Sequence, residues 1–363
     1  MMKPTLKSVI PAFGLAIALL GYGPSLRALP LPPVLAQNNA ESFFSAGVEK
    51  MEAEDYAGAI ADFTRAIELD SEFVDAYTAR GIARHRREDY AGAIADFTEV
   101  LRLNPNQSDI YALRGIDFLY VGEYRAAIAD FNRVIETDPL DADAYLLRGG
   151  ARSELGEYEG AIADYNRASE LAPDNPTIYR KRGQTRARAG DYEGSIADFD
   201  RAIELNPGDA LVYVYRGNAY DDLGESDAAL ENYQRAIELD PNLPQAYYNR
   251  AITRRRLEDY PGAIADYTKA IELDGEDYRA YLNRAIAYAL SGEFERAIAD
   301  YSQTLELNPE LGKAHYNRGL IYQRLGDADA ARKDFETAAE LYQQQGQSEK
   351  YEDARQAIER LQE

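Results

Sequence analysis

Apolar residues recur along this chain at i, i+3, i+4 and i+7, in paired stretches separated by short polar turns, the spacing of one buried face on an α-helix. The stretch AGAIADFTRAIELD, residues 57–70, comes back as AGAIADFTEVLRLN at 91–104 and seven more times. Its aromatic marks the period: Phe63, Phe97, Phe131, Tyr165, Phe199, Tyr233, Tyr267, Tyr301 and Phe335, each 34 residues from the last, with no insertion or deletion. A fixed period of this size predicts a solenoid, in which one supersecondary unit stacks on its own copies.

Repeats are numbered 1 to 9 from Ala40, Val74, Ser108, Ala142, Pro176, Ala210, Pro244, Tyr278 and Gly312, with positions 1–34 in each. The pattern predicts a first helix over about positions 2–14 and a second helix after a short turn. Position 4 is aromatic, from Phe43 to Tyr281, with His315 in repeat 9, and position 8 is Gly or Ala, from Gly47 to Gly319. These two share a helix face, and glycine there implies that a neighbouring helix presses close. Glycine ends the first helix in six repeats, whereas Glu54, Glu88 and Glu258 replace it in three and are expected to weaken those turns. Proline closes the second helix in six repeats, Pro105 to Pro309. After the array, residues 346–362 read as a polar amphipathic helix that caps the last repeat's open edge.

Residues 1–36 break the pattern. Lys3 and Lys7 precede an apolar stretch from Ser8 to Gly23, interrupted by Pro11, Gly14 and Gly21 and followed by a proline-rich run. It is shorter than a spanning helix needs. This reads as a signal peptide cleaved after Ala36, with an uncleaved membrane tether as the alternative. The expected location is therefore exported: a periplasm, a cell surface or an equivalent lumen. The chain has no cysteine, which excludes disulfides, thiol catalysis, cysteine-ligated metals and a lipoprotein anchor.

The formal charge is −23, and the three basic residues before residue 37 face no acid there, so the rest is more acidic still. Such a field disfavours nucleic acid and anionic lipid as partners. Phosphate-loop, nucleophile-elbow, zinc-protease and EF-hand motifs are absent. The two histidines do not suggest a metal site: His315 takes a core aromatic's place, and His85 reads as a surface contact. No pair of carboxylates stands out as an acid–base couple. Catalysis and a cofactor are not expected.

One polar feature is as regular as the apolar ones. Arginine fills position 7 in eight repeats: Arg80, Arg114, Arg148, Arg182, Arg216, Arg250, Arg284 and Arg318. Aspartate fills position 23 in eight: Asp62, Asp96, Asp130, Asp164, Asp198, Asp266, Asp300 and Asp334. An arginine one residue before a buried glycine calls for a carboxylate partner, so the two rows predict a structural ladder that fixes repeat register. Pairing within repeats would leave Asp62 opposite Ala46. Pairing between repeats, Asp62 with Arg80, is slightly favoured.

Aromatic, small residue, alanine, aromatic, alanine and proline in phase over residues 40–345 resemble the tetratricopeptide repeat. The resemblance implies an all-α, right-handed superhelical solenoid of nine helix-turn-helix repeats whose first helices line a concave groove. The family's tyrosine at position 11 is kept at Tyr220, Tyr288 and Tyr322 but replaced by Lys50, Phe118 and several arginines. It further implies that positions 2, 5, 9, 12 and 13 of the first helices touch a partner. Carried over, these give His85, Arg86 and Tyr120; Arg180, Gln184 and Arg188; Asn218 and Asp222; Tyr248, Arg255 and Arg256; and Lys313, Tyr316 and Arg324. Basic residues there would suit an acidic or C-terminal carboxylate segment, although the family's chaperone-type carboxylate clamp is not intact. The resulting expectation is a non-catalytic scaffold or assembly factor binding a protein or peptide. The alternatives are a self-associating structural envelope component and a regulatory subunit of an envelope or cell-wall enzyme.

Overall fold

The computed structural model describes residues 39–361. The predicted signal peptide lies outside them. The described residues form 19 helices and no strand. Each first helix begins at position 1 of its repeat, from Ala40–Glu52 to Gly312–Leu325, one residue earlier than the periodicity suggests. Each second helix begins at position 17, from Tyr56–Leu69 to Ala328–Gln344, and a last helix spans Ser348–Arg360. None is long and apolar enough to cross a membrane. The chain divides into two compact blocks at Gly190/Asp191. The first holds repeats 1–4 and the first helix of repeat 5. The second holds the rest of repeat 5, repeats 6–9 and the last helix.

Local chemistry sets the helix ends. Asp55, Asp89, Asp259 and Asp327 cap second helices by accepting the backbone N–H three residues on, at 2.9–3.0 Å. The turns before them require a left-handed residue, and Gly122, Gly292 and Gly326 supply it at φ 81°, 84° and 81°. Glu54, Glu88 and Glu258 hold the same conformation at φ 59°, 63° and 62°, which a side-chain-bearing residue adopts at a cost.

The position-24 aromatics form the core, with Phe63, Phe131, Tyr267 and Phe335 fully buried. A small residue at position 8, glycine in seven repeats and alanine in repeats 7 and 8, lets the aromatic lie against the first helix of its own repeat. A Cβ on Gly81 would sit 2.7 Å from the Phe97 ring, and one on Gly319 2.8 Å from Phe335. The last helix buries Ala354 and Ala357, with Tyr351, Ile358 and Leu361 packed around repeat 9, and so covers that end of the array.

The ladder exists, but its register corrects the sequence reading. Six of the eight aspartates pair with the arginine of their own repeat. Arg114 Nε and Nη2 donate to Asp130 at 2.8 and 2.7 Å, and Arg80–Asp96, Arg148–Asp164, Arg250–Asp266, Arg284–Asp300 and Arg318–Asp334 repeat the same fork. Asp62 does not pair with Arg80. It faces Ala46, as within-repeat pairing demands, and Lys50 Nζ comes within 2.5 Å of it instead. The physical reason is that position 23 faces the first helix of its own hairpin. The link between repeats comes from the third guanidinium nitrogen. Nη1 of each arginine reaches position 25 of the preceding repeat: Thr64 from Arg80, Thr98 from Arg114, Asn132 from Arg148, Asn166 from Arg182, Asp200 from Arg216, Gln234 from Arg250, Thr268 from Arg284 and Ser302 from Arg318. Repeat 6 has Asn232 in place of the aspartate, and there the position-25 residue, Asp200, is the carboxylate, 2.5 Å from Arg216.

Arginine at position 11, a departure from the family's tyrosine, also belongs to the ladder. Arg84, Arg152 and Arg254 donate to the same aspartates as Arg80, Arg148 and Arg250, at 2.9, 2.8 and 2.8 Å. Asp130, with Phe118 at position 11, has no second arginine. Burial then outweighs Arg114, and its carboxyl titrates above the ordinary range.

Candidate partner-binding groove

The face built from successive first helices carries the residues the sequence singles out. Many of them are held by the neighbouring repeat. His85 is no plain surface contact: its Nδ1 lies 2.6 Å from Oδ1 of Asp117, position 10 of repeat 3. Asp117 is completely buried, and its Oδ2 has no partner among the described residues. Burial raises its pKa, and the hydrogen bond to His85 offsets only part of that. Tyr120 stacks on Tyr90 with ring centroids 4.2 Å apart, and His85 meets both rings edge-on. These side chains are committed to one another.

Positions 12 and 10 of consecutive repeats meet elsewhere too, in Ser153 with Thr185 at 2.9 Å and Asp221 with Thr253 at 3.0 Å. Position 13 is drawn into the same seam. Arg188 pairs with Glu154 at 2.8 Å, Arg256 with Asp221, and Arg324 lies over the Phe294 ring at 4.9 Å. These arginines therefore offset acids and rings of their own face. Arg180 is buried. Beside it, Lys181 has its pKa lowered to about 8 by burial and by the Arg180 charge.

Asn218 accepts from Tyr233 at 2.9 Å and from Asn249 at 2.8 Å. Tyr248 accepts from Asn283 at 3.1 Å and lies under Arg279. Tyr316 is not open to the groove: it packs against Phe335 and the last helix. His315, read as packing alone, also lies 3.0 Å from Asp334. Burial raises the Asp334 carboxyl, but Arg318 and His315 outweigh it, and it titrates below the ordinary range. Arg86, Asp222 and Lys313 remain exposed. Gln184 is half-buried.

Repeats 7–9 hold a groove pocket of about 410 Å³. Arg255 and Lys313 line it with Asn283 and Asn317, and Ile286, Leu290, Leu320 and Ile321 form its apolar wall. Leu290 and Leu320 are 53% and 39% exposed, large for leucines on a packed helix. The buried Nε of Arg255 finds no acceptor among the described residues. Next to it is the Tyr267 hydroxyl, pushed up to about 12, chiefly by burial. Among the described residues no group of acids and histidines could hold a metal ion.

Comparison with known proteins agrees with this architecture. Tetratricopeptide repeat models match residues 44–108 and 113–176, 244–277, 266–299 and 312–345, and a TPR repeat model matches 186–224, 217–257 and 287–326. Among solved structures, a tetratricopeptide repeat protein from Parabacteroides merdae is 18% identical, with 68% of this chain and 98% of that one covered and a TM-score of 0.57. The C-terminal part of a TPR repeat-containing protein from Cytophaga hutchinsonii is 22% identical over 64% and 96%, at 0.51. The APC/C hetero-tetramer Cut9–Hcn1 matches at 16% over 97% and 81%, at 0.53. At these identities the likeness is one of fold. No curated protein matches. With an unbroken 34-residue period, helix pairs that follow it throughout and family models that reach from residue 44 to 345, this chain belongs to the tetratricopeptide repeat family.

Proposed function

We propose that the chain is a non-catalytic scaffold or assembly factor, acting in an exported compartment, that holds a segment of a partner protein on its first-helix face. The observation that carries this reading is the contrast between the two sides of the first helices. Toward the second helices the repeats are filled in much the same way, by glycine or alanine at position 8, an aromatic at position 24 and, in all but repeat 1, an arginine at position 7. On the other side residue types change from repeat to repeat, and in repeats 7–9 they leave an apolar pocket open beside cations. Membership of a family of interaction modules and the basic start of the chain support the reading further.

The test is photo-crosslinking in the exported fraction. Residues 37–363 would carry a photoreactive residue in place of Leu290, on the first-helix face, or of Leu69, exposed on a second helix. A partner trapped from Leu290 and not from Leu69 is the expected result. A partner trapped only from Leu69, or found only in the cytosolic fraction, overturns the surface or the compartment respectively.

A further inference from the structure

Two phenol rings lie flat against each other where repeats 2 and 3 meet. Tyr90 opens the second helix of repeat 2, Tyr90–Leu103, and Tyr120 stands near the end of the next first helix, Ser108–Val121. Their centroids are 4.2 Å apart at an interplanar angle of 1°. Aromatic rings ordinarily meet offset or edge-on, about 4.5–7 Å apart. Phe44–Phe63, Tyr316–Phe335 and Tyr248–Tyr267 do so here, at 44°, 51° and 65°. Neighbours hold the flat pair in place: His85 meets both rings edge-on, and its Nδ1 is tied to the buried Asp117. Tyr90 and Tyr120 are only half-buried, so small solutes reach them, whereas Tyr165, Tyr233, Tyr267 and Tyr301 are sealed in the core. Both phenols stay protonated at neutral pH, since burial raises Tyr90 and pushes Tyr120 up to about 12.

From this stack we infer a covalent modification site: a peroxide-driven one-electron oxidant joins Tyr90 to Tyr120 as a dityrosine, a carbon–carbon staple between repeats 2 and 3. Each phenol gives one electron to the oxidant and its hydroxyl proton to water. The unpaired electron of a tyrosyl radical spreads onto the ring carbons beside the oxygen-bearing carbon, Cε1 and Cε2. A bond between two such carbons forms along their π lobes, perpendicular to the rings, and a parallel stack points those lobes at each other. A T-shaped pair such as Tyr248–Tyr267 points the lobes of one ring at the edge of the other. The two joined carbons then each release a proton and the two oxygens each regain one, which restores both phenols. The peroxide takes up two electrons and two protons and leaves as two waters. With no cysteine, the chain has no disulfide to tie one repeat to the next. A dityrosine here restricts the unfolded chain in the same way. The site is independent of what the groove holds.

The experiment treats the full chain with a peroxidase and hydrogen peroxide, isolates the monomer by size exclusion, and digests it with trypsin for mass spectrometry. Cleavage after Arg87, Arg102, Arg114 and Arg125 releases residues 88–102, whose one tyrosine is Tyr90, and 115–125, which hold Tyr120 and Tyr124. The expected product is these two peptides joined with the loss of two hydrogen atoms, in a monomer that shows dityrosine fluorescence and a raised urea midpoint. Tyr90→Phe and Tyr120→Phe each keep a ring in the stack and remove a phenol. Each is expected to abolish the joined peptides and the upward shift of the midpoint, while circular dichroism stays that of the wild type. The same peptides joined in Tyr120→Phe would run through Tyr124 and overturn the inference. So would cross-links found only between chains, or spread over other tyrosines without excess at this pair, or formed equally between Tyr248 and Tyr267. A treated monomer with no cross-link overturns it as well.

Discussion

The first helices have two working sides, and they are built on opposite principles. Toward the second helix, position 7 is arginine in eight repeats and position 8 is glycine or alanine in all nine. Toward the groove, position 12 runs through Met, His, Leu, Ser, Ala, Asp, Arg and Gln, and position 13 through Glu, Arg, Tyr, Asp and Leu, without a rule. The regular side meets the same neighbour every time, so one solution serves throughout. The irregular side meets a different residue one repeat on, and what a side chain does there depends on that neighbour. His85 is tied down because repeat 3 offers Asp117 at position 10, whereas repeat 8 offers Ala287 there, and Arg255 lines a pocket instead.

That comparison is tested most severely on the regular side. Asp130→Ala leaves Arg114 half-buried with no carboxylate, and a loss of about 3 kcal/mol or more is expected. An equal truncation on the other side, Arg86→Ala, is expected to change stability by less than about 0.5 kcal/mol. Urea midpoints of the two would reveal whether the sides differ as claimed. Gly81→Ala comes next: its methyl would meet the Phe97 ring, and about 1–3 kcal/mol should be lost.

Asp117 is the exception that sharpens the contrast, a buried charge on the irregular side. Its folded carboxyl binds a proton more tightly than the unfolded one. Its contribution is therefore most favourable below the ordinary carboxylate range and is lost as pH rises through the raised folded value. Asp117→Asn is expected to gain in stability on the wild type as pH climbs above the ordinary carboxylate range. Asp334 has the opposite sign: its lowered carboxyl contributes above the ordinary range, and that contribution is lost as pH falls through the folded value. A wild-type and variant pair with parallel pH profiles would remove Asp117 from the account. The smallest effect belongs to neither side. Glu88→Gly relieves a left-handed glutamate, and a gain of about 0.5–1 kcal/mol in thermal unfolding is expected.

The regular side was legible in the sequence because it repeats. Period, helix order, the core aromatics, the close-approach glycines and both rows of the ladder can be read from spacing alone. The register could not. Both pairings put the charges within reach, and only the packing of a hairpin chooses between them. The position-25 acceptors were missed because Thr, Asn, Asp, Gln and Ser share a side-chain oxygen but not a name. A correlation that was in plain view explains the arginines at position 11. Lys50, Arg84, Arg152 and Arg254 go with Gly58, Gly92, Gly160 and Gly262 at position 19, while Phe118, Tyr220, Tyr288 and Tyr322 go with Ala126, Ala228, Arg296 and Ala330. A Cβ on Gly92 would stand 2.9 Å from Arg84 Cδ, so the long cation needs the bare backbone. Asp117 gave no signal, since an acid inside a polar-looking helix reads the same whether it is wet or dry. Arg188, Arg256 and Tyr316 were assigned to the groove by position, but position does not reveal that Glu154, Asp221 and the last helix already occupy them.

The arginine fork has a direction. Each one is anchored in its own repeat and reaches back to the one before, and repeat 1, which has no predecessor in the array, carries Ala46 instead. The array therefore has a sense, like overlapping roof tiles. Lifting the last tile strands only a hydroxyl or an amide on the repeat beneath it, which water satisfies readily. Lifting the first leaves the next arginine on its own aspartate, with only Nη1 in need of a new acceptor. A duplicated repeat would arrive with its own hook for whatever lies beneath it, so the array can lengthen or shorten by whole repeats without any joint being redesigned.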